Sequence, residues 1–186
     1  MATKFTQAVF TLLTLAGFTG GAEAHAGHGS TVGFMAGFAH PLSGLDHILA
    51  MVCVGLFAAR LGGRAIWAVP LAFVAMVAVG GVLGMNGIAL PYVEFVITAS
   101  VIVLAAAATM NINLSTLAAA GLVGSFALFH GIAHGAEMPV PANATHFGLG
   151  FISATILLHG LGLALGLSTR HQVSQFGRAR GAVLIK

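Results

Sequence analysis

A long apolar stretch of the sequence without basic residues is the feature that most limits how this chain can fold. No lysine or arginine occurs between Arg64 and Arg170, whereas about a quarter of the residues in an ordinary soluble domain are charged. In the whole chain only 6% of the residues are charged and 58% are hydrophobic, and the mean hydropathy is +1.01. Such a chain cannot cover a water-facing surface. The sequence therefore predicts an integral membrane protein with one compact domain.

The N-terminus has the pattern of an export signal. Lys4 supplies a positive charge, an apolar stretch follows it, and residues 22–24 (Ala-Glu-Ala) provide a cleavage site. We therefore expect residues 1–24 to be a cleavable signal peptide, which leaves His25 as the first residue of the mature chain. An uncleaved first span is the alternative. Both arrangements place His25 outside the cytoplasm.

Five apolar segments after the leader have the length of a transmembrane helix, about 20 residues. They predict an all-α fold, a polytopic bundle of five spans within residues 25–169, or six spans if the leader is retained. The segments cover residues 41–59, 65–84, 92–110, 114–134 and 145–167. Residues 31–39 are too few to cross a membrane, so we expect a re-entrant or interfacial segment there. Proline suits the first position of a helix, so Pro41 is expected to begin the first span.

Glycines spaced four residues apart recur along the chain and predict close helix packing. Packing within one bundle is favoured over a dimer interface, and a homo-oligomer stays open. The pairs are Gly33/Gly37, Gly80/Gly84, Gly131/Gly135 and Gly162/Gly166.

The basic residues predict the orientation, because cytoplasmic loops are enriched in lysine and arginine. Arg60 and Arg64 bracket the first loop, and the other basic residues of the mature chain lie in the segment 170–186. This pattern predicts a mature N-terminus outside the cytoplasm and a basic cytoplasmic tail at residues 170–186.

The ionisable side chains gather near the outer ends of the predicted spans. The three acids that remain after removal of the leader, Asp46, Glu94 and Glu137, all fall there. Only His159 among the histidines lies deep in a span, and only His171 lies inside. The other seven histidines share the outer position: His25, His28, His40, His47, His130, His134 and His146. In the stretch FHGIAHGAE, His130, His134 and Glu137 recur at spacings that share one helical face.

These acids have no lysine or arginine to balance them, and charged groups within a membrane usually pair or face a water-filled path. Protonation, a protonated histidine or a bound cation can compensate them. A cation accounts for both residue types, because mixed imidazole and carboxylate ligands suit Ni, Co, Zn or Cu ions. His40 and His47 would lie about 10 Å apart on a straight helix, so His40 is expected in a turn before Pro41. The candidate metal ligands are His25, His28, His40, Asp46, His47, Glu94, His130, His134, Glu137, His146 and His159.

Several of these candidates have a plain structural alternative. His159 can be an ordinary buried hydrogen-bonding group, and His146 can lie among lipid headgroups. Glu94 can be solvated at the membrane interface beside Tyr92. His25 and His28 can be linker residues.

The stretches HPLSGLDHILAMVCVGLFA and FHGIAHGAE resemble the HupE/UreJ family of bacterial membrane proteins, and the resemblance covers essentially the mature chain. It implies a nickel permease of the bacterial inner membrane that takes Ni²⁺ from the periplasm to the cytoplasm and indirectly supplies a hydrogenase or urease. Nickel would be the transported substrate. The resemblance also implies that the motif residues matter for transport: His40, Asp46, His47, His130, His134 and Glu137.

Two other classes of function stay open on the sequence. A membrane-embedded zinc hydrolase would use similar ligands, although H-x-x-x-H-x-x-E differs from the H-E-x-x-H pattern of zincins. A metal sensor or an assembly factor would bind metal without transporting it. The permease is favoured, so we expect no enzymatic activity, and we expect a divalent metal ion and the lipid bilayer as partners, without nucleic acid. The sequence alone does not choose among Ni²⁺, Co²⁺, Zn²⁺ and Cu²⁺.

Overall fold

The computed structural model describes residues 33–110, 112–138 and 144–183, with side chains to residue 170. These residues form six helices and no strand, so the all-α prediction is confirmed for them. The signal peptide, His25 and His28 lie outside the described residues. The helices are α1 (Phe34–Ser43), α2 (Leu45–Leu61), α3 (Ala65–Met85), α4 (Val93–Thr109), α5 (Thr116–Ala136) and α6 (Ala144–Val183).

Three of the helices are long and apolar enough to cross a membrane. They are α3, α5 and the Ala144–Arg170 part of α6. The helices α1 and α2 reach that length together, as one broken span or as a re-entrant loop, and α4 is apolar but only 17 residues long. Among the described residues, helices that are able to span a membrane are therefore present as predicted, and the count of five spans stays a prediction.

The break between α1 and α2 lies at Gly44, whose backbone is extended with φ −111° and ψ 129°. The two helix axes differ by 87°. The prediction that Pro41 begins the first long helix is wrong, because Pro41 lies inside α1 and the long helix begins at Leu45. Proline lacks the amide proton that continues a helix, and α1 ends two residues after it. The segment expected at residues 31–39 overlaps α1, and its re-entrant or interfacial position stays a prediction.

Glycines bring α3 and α5 into backbone contact. A β-carbon on Gly131 of α5 would meet the carbonyl oxygen of Val77 in α3, and one on Gly80 would meet the carbonyl oxygen of Leu128. Such close approach is typical of helices that pack in a membrane through small residues. The predicted Gly80/Gly84 and Gly131/Gly135 pairs therefore pack against each other within one chain.

A second glycine contact joins α2 to α6. A β-carbon on Gly55 would meet the carbonyl oxygen of His159, and one on Gly162 would meet that of Val52. Together the two contacts fix which faces of α2, α3, α5 and α6 surround the buried core, which includes Phe57 and other apolar side chains.

Arginines cap two helices at the end of the bundle where α2 and α4 finish. Arg60 donates from Nη1 to the carbonyl oxygen of Ala108 at 3.0 Å, near the end of α4. Arg170 donates from Nη1 to the carbonyl oxygen of Ala59 at 2.6 Å, near the end of α2. The last carbonyls of a helix lack partners within the helix and carry partial negative charge. These contacts therefore satisfy backbone groups at what we call the arginine end.

Candidate metal centre

Three histidines from three helices converge at the opposite end of the bundle. His40 lies near the end of α1, His47 near the start of α2, and His134 in the last turn of α5. Each offers one ring nitrogen, and these atoms all lie within 4.8 Å of one another. Imidazole nitrogens bound to one ion at about 2.0–2.1 Å lie about 3–4 Å apart. We call these three side chains the three-histidine cluster. Small movements of the side chains would therefore allow them to share an ion.

The bend at Gly44 brings His40 and His47 together. The two rings lie 6.1 Å apart between centroids, closer than about 10 Å along a straight helix. The prediction that His40 precedes the helix is wrong, because it is helical and the turn follows it. A β-carbon at position 44 would lie 2.6 Å from Oδ1 of Asp46 and 2.8 Å from Nδ1 of His47. A side chain at position 44 would therefore displace the side chains of Asp46 and His47 from the positions seen here.

Asp46 orients the ring of His47. The Nδ1 atom of His47 lies 3.0 Å from Oδ1 of Asp46. An ionised carboxylate only accepts hydrogen bonds, so Nδ1 donates the proton and the Nε2 atom of His47 keeps its lone pair. This carboxylate–imidazole arrangement is the one that commonly holds a metal-binding histidine in its tautomer. Asp46 therefore orients the ring of His47, and the side chain of Asp46 is 51% exposed.

His134 faces the lone pair of His47. The two Nε2 atoms lie 2.6 Å apart, and Nε2 of His40 lies 3.2 Å from Nδ1 of His134. Glu137 is on the same side, with Oε2 3.7 Å from Nδ1 of His134. With Nε2 of His134 as the donor to Nε2 of His47, Nδ1 of His134 accepts from Nε2 of His40, so two hydrogen bonds link the three rings. A cation bound by these nitrogens would take the place of the two shared protons.

Glu137 follows the end of α5 and is exposed. Hydrogen bonding to the His134 ring lowers the pKa of the Glu137 carboxyl below its usual value, and the charges of the nearby histidines act in the same direction. Burial opposes this shift. The carboxylate therefore stays ionised beside the cluster and favours a positive charge there.

His130 lies one turn before His134 on α5 and is 1% exposed. Its Nδ1 atom donates to the carbonyl oxygen of Phe126 at 3.0 Å. Its Nε2 atom has no hydrogen-bond partner among the described residues, and its ring centroid is 5.9 Å from that of His47. The sequence motif thus places two histidines on one face, His134 in the cluster and His130 just behind it.

Aromatic side chains enclose the cluster from α6. Phe147 and Phe151 contact the ring of His40 at centroid distances of 5.7 and 6.0 Å, and Phe151 contacts His134 at 5.4 Å. A largely apolar cavity of about 320 Å³ between α3, α5 and α6 borders His134, with Met85 in its lining. His134 therefore borders a largely apolar space as well as the aromatic rings of α6.

The other candidate residues stand apart from the cluster. Glu94 is exposed in the first turn of α4, and His146 is exposed in the first turn of α6. His159 is 2% exposed and lies deep in α6. Of the described residues, the only three whose His, Cys, Asp or Glu ligand atoms converge are those of the three-histidine cluster.

Sequence reasoning missed Gly44, Phe151 and Phe73. The Ser-Gly pair at positions 43 and 44 is a turn signal that could have indicated the break. Phe73 is fully buried and contacts both His130 and His159, at centroid distances of 6.1 and 5.0 Å. Nothing in the apolar stretch around it distinguishes this phenylalanine from a packing residue.

Comparison with known proteins shows the family of this chain. The family model described as HupE / UreJ protein matches residues 13–186. Protein HupE of Rhizobium leguminosarum bv. viciae is 49% identical over 162 residues, which are 87% of this chain and 84% of that protein. No solved structure shows significant similarity. The chain belongs to the HupE/UreJ family.

Proposed function

We propose that the protein is a permease that carries a divalent transition metal ion, Ni²⁺ in the first place, from the periplasm into the cytoplasm. The observation that carries the proposal is the convergence of His40, His47 and His134, whose ligand atoms lie within 4.8 Å of one another at one end of an apolar bundle. Imidazole ligands suit Ni, Cu and Zn ions. The HupE/UreJ family is associated with hydrogenase and urease. Membership of this family therefore favours nickel among these ions.

The proposed topology is that of the sequence: five spans in the bacterial inner membrane after removal of the leader, with the histidine end periplasmic. The arginine end then faces the cytoplasm, in agreement with the usual excess of basic residues there. In this orientation Arg60 and Arg170 lie near the cytoplasmic surface, where they cap α4 and α2.

The membrane potential can drive this transport without ATP. Moving one positive charge inward across 100 mV, negative inside, yields about 2.3 kcal/mol, and hence about 4.6 kcal/mol for a divalent ion. The cluster must then bind the ion firmly enough to capture it and weakly enough to release it. Three imidazoles with two orienting carboxylates offer fewer direct ligands than a closed structural site, in agreement with that requirement.

A flux assay with the purified protein tests the proposal. Proteoliposomes containing a metal-responsive dye and an inward-negative potential should accumulate Ni²⁺, and the His47→Ala protein should not. His146→Ala is the matched control, because it removes an exposed histidine from the same end. Parallel assays with Co²⁺, Zn²⁺ and Cu²⁺ rank the substrates.

Two outcomes would contradict the proposal. Normal Ni²⁺ flux through the His47→Ala protein would remove the cluster from the transport path. Tight binding of Ni²⁺ by the wild type without flux would instead indicate a sensor or assembly factor. In a cell the same pair of variants should differ in nickel accumulation while both reach the membrane.

A further inference from the structure

Two deeply buried histidines lie behind the three-histidine cluster with unused ring nitrogens. The Nε2 atom of His130 and both ring nitrogens of His159 have no hydrogen-bond partner among the described residues. The two residues are 1% and 2% exposed. A buried polar atom without a partner is costly, and most such atoms in proteins do find one. Three of them on two buried side chains therefore require an explanation.

Phe73 of α3 joins the two histidines. Its ring is completely buried, and it packs on His130 at 6.1 Å and on His159 at 5.0 Å between centroids. His130 in turn lies 5.9 Å from His47 of the cluster. The rings therefore form a continuous chain of contacts from the cluster, through His130 and Phe73, to His159.

A row of buried side chains also leads from the cluster inward along one face of α6. Phe151, Thr155 and His159 are spaced four residues apart, so they share a helical face, and all three are buried. Phe151 contacts His40 and His134, and His159 lies eight residues further on, about 12 Å along the helix. The Thr155 hydroxyl donates to the carbonyl oxygen of Phe151 at 2.9 Å, which leaves its oxygen lone pairs available to a cation.

Beyond His159 the described interior is almost wholly apolar. Within residues 33–110, 112–138 and 144–170 the buried polar side chains are Ser100, His130, Thr155 and His159. The hydroxyl of Ser100 already donates to the carbonyl oxygen of Ile97. Among the residues whose side chains the structure describes, His159 is therefore the last imidazole that an ion would meet on its way from the cluster.

We propose that His130 and His159, which both contact Phe73, form a second and inner binding site for the divalent metal ion. This inference rests on the proposed function and extends it from capture to transfer. Two imidazoles hold an ion less firmly than the three-histidine cluster, so the inner site accepts an ion and passes it on. Phe73 offers a cation its aromatic ring, which attracts positive charge.

A purely structural role for His159 is the competing explanation. Its ring stands at 89° to that of Phe73, which is the geometry of an N–H group directed at an aromatic face. In that case a phenylalanine at position 159 would replace the contact by an aromatic pair without affecting metal. The two explanations therefore differ in what His159→Phe does to Ni²⁺ binding.

Equilibrium titration with Ni²⁺ tests the inner site directly. The full-length His159→Phe protein should bind one Ni²⁺ fewer per chain than the wild type and should melt at an equal or higher temperature. His130→Asn provides a second variant, because the asparagine amide can still donate to Phe126 while the Nε2 ligand is lost; it should also bind one ion fewer. His146→Asn is the control and should bind as many ions as the wild type. An unchanged number of bound ions in both inner variants would overturn the proposal.

Flux through proteoliposomes separates transfer from capture. In His159→Phe we expect the maximal Ni²⁺ flux to fall about 10-fold or more, while the half-saturating Ni²⁺ concentration stays within about 2-fold, because the outer cluster is intact. An unchanged maximal flux, or an effect on the half-saturating concentration alone, would contradict the inner site. If the wild type carries no flux, the proposed permease function fails, and the titration alone decides whether the inner site exists.

Discussion

The two ends of the bundle use polar side chains in opposite ways. At the arginine end, Arg60 and Arg170 donate to main-chain carbonyl oxygens near the ends of α4 and α2. At the histidine end, the rings of His40, His47 and His134 direct nitrogens at one another. The first end satisfies backbone groups that a helix leaves without partners. The second end gathers ring nitrogens that contact one another and that can share a cation.

This difference indicates that the arginine end contributes to the stability of the fold and that the histidine end contributes to metal binding. Polar groups at the arginine end have partners within the chain, so their removal should weaken the fold and leave metal binding intact. Carboxylates at the histidine end, Asp46 and Glu137, are exposed and touch the outer sides of His47 and His134. Their removal should weaken metal binding and leave the fold intact. The following variants test this separation.

The largest effect is expected for His134→Ala. His134 contacts both other members of the cluster, so its loss leaves no converging site. Nickel flux in proteoliposomes should fall about 100-fold or more, beyond the about 10–100-fold typical for groups that only orient a ligand. His146→Ala should retain flux within about 2-fold. Equal flux through both variants would mean that the histidine end does not bind the transported ion.

A smaller loss is expected for Asp46→Asn. The amide can no longer hold His47 in its tautomer as a carboxylate does, so the affinity for Ni²⁺ should fall about 10–100-fold, as measured by titration calorimetry. Adding Asn86→Asp to this variant restores a negative charge at an exposed turn of the same end. Rescue by that second substitution would show that charge alone matters, contrary to the hydrogen bond seen here.

Gly131→Ala should affect the fold that carries the histidine end. A methyl group there would meet the backbone of α3 at Val77, and overpacking of this kind costs about 1–3 kcal/mol. The melting temperature in detergent should fall accordingly. Gly121→Ala on the same helix is the matched control, because a β-carbon there meets nothing within 4 Å. Similar melting of the two variants would argue against the close contact of α3 with α5.

The smallest effect is expected for Arg170→Ala at the arginine end. Loss of its hydrogen bond to the carbonyl oxygen of Ala59 should lower the free energy of unfolding by about 1 kcal/mol or less, with no change in Ni²⁺ affinity. Arg64→Ala removes the same charge from an exposed position before α3. A loss of Ni²⁺ affinity in Arg170→Ala would break the separation between the two ends.

Much of the fold was predictable because membrane helices are encoded locally. Apolar runs of sufficient length predicted α3, α5 and α6 to within a few residues at their starts, since only internally hydrogen-bonded segments cross a bilayer. The start of the first long helix was not predictable from Pro41 alone. Its position depends on the bend at Gly44, where a β-carbon would meet the side chains of Asp46 and His47.

Composition and helical spacing are enough to predict a membrane protein whose acids and most histidines collect near one end, because neither requires knowledge of neighbouring helices. Which of these residues meet depends on how the helices pack. His47 and His134 are 87 residues apart, and their contact depends on the 87° bend and on the glycine contacts that fix how α3, α5, α2 and α6 pack. Such contacts arise from the fit of whole helix faces, which no single stretch of sequence contains.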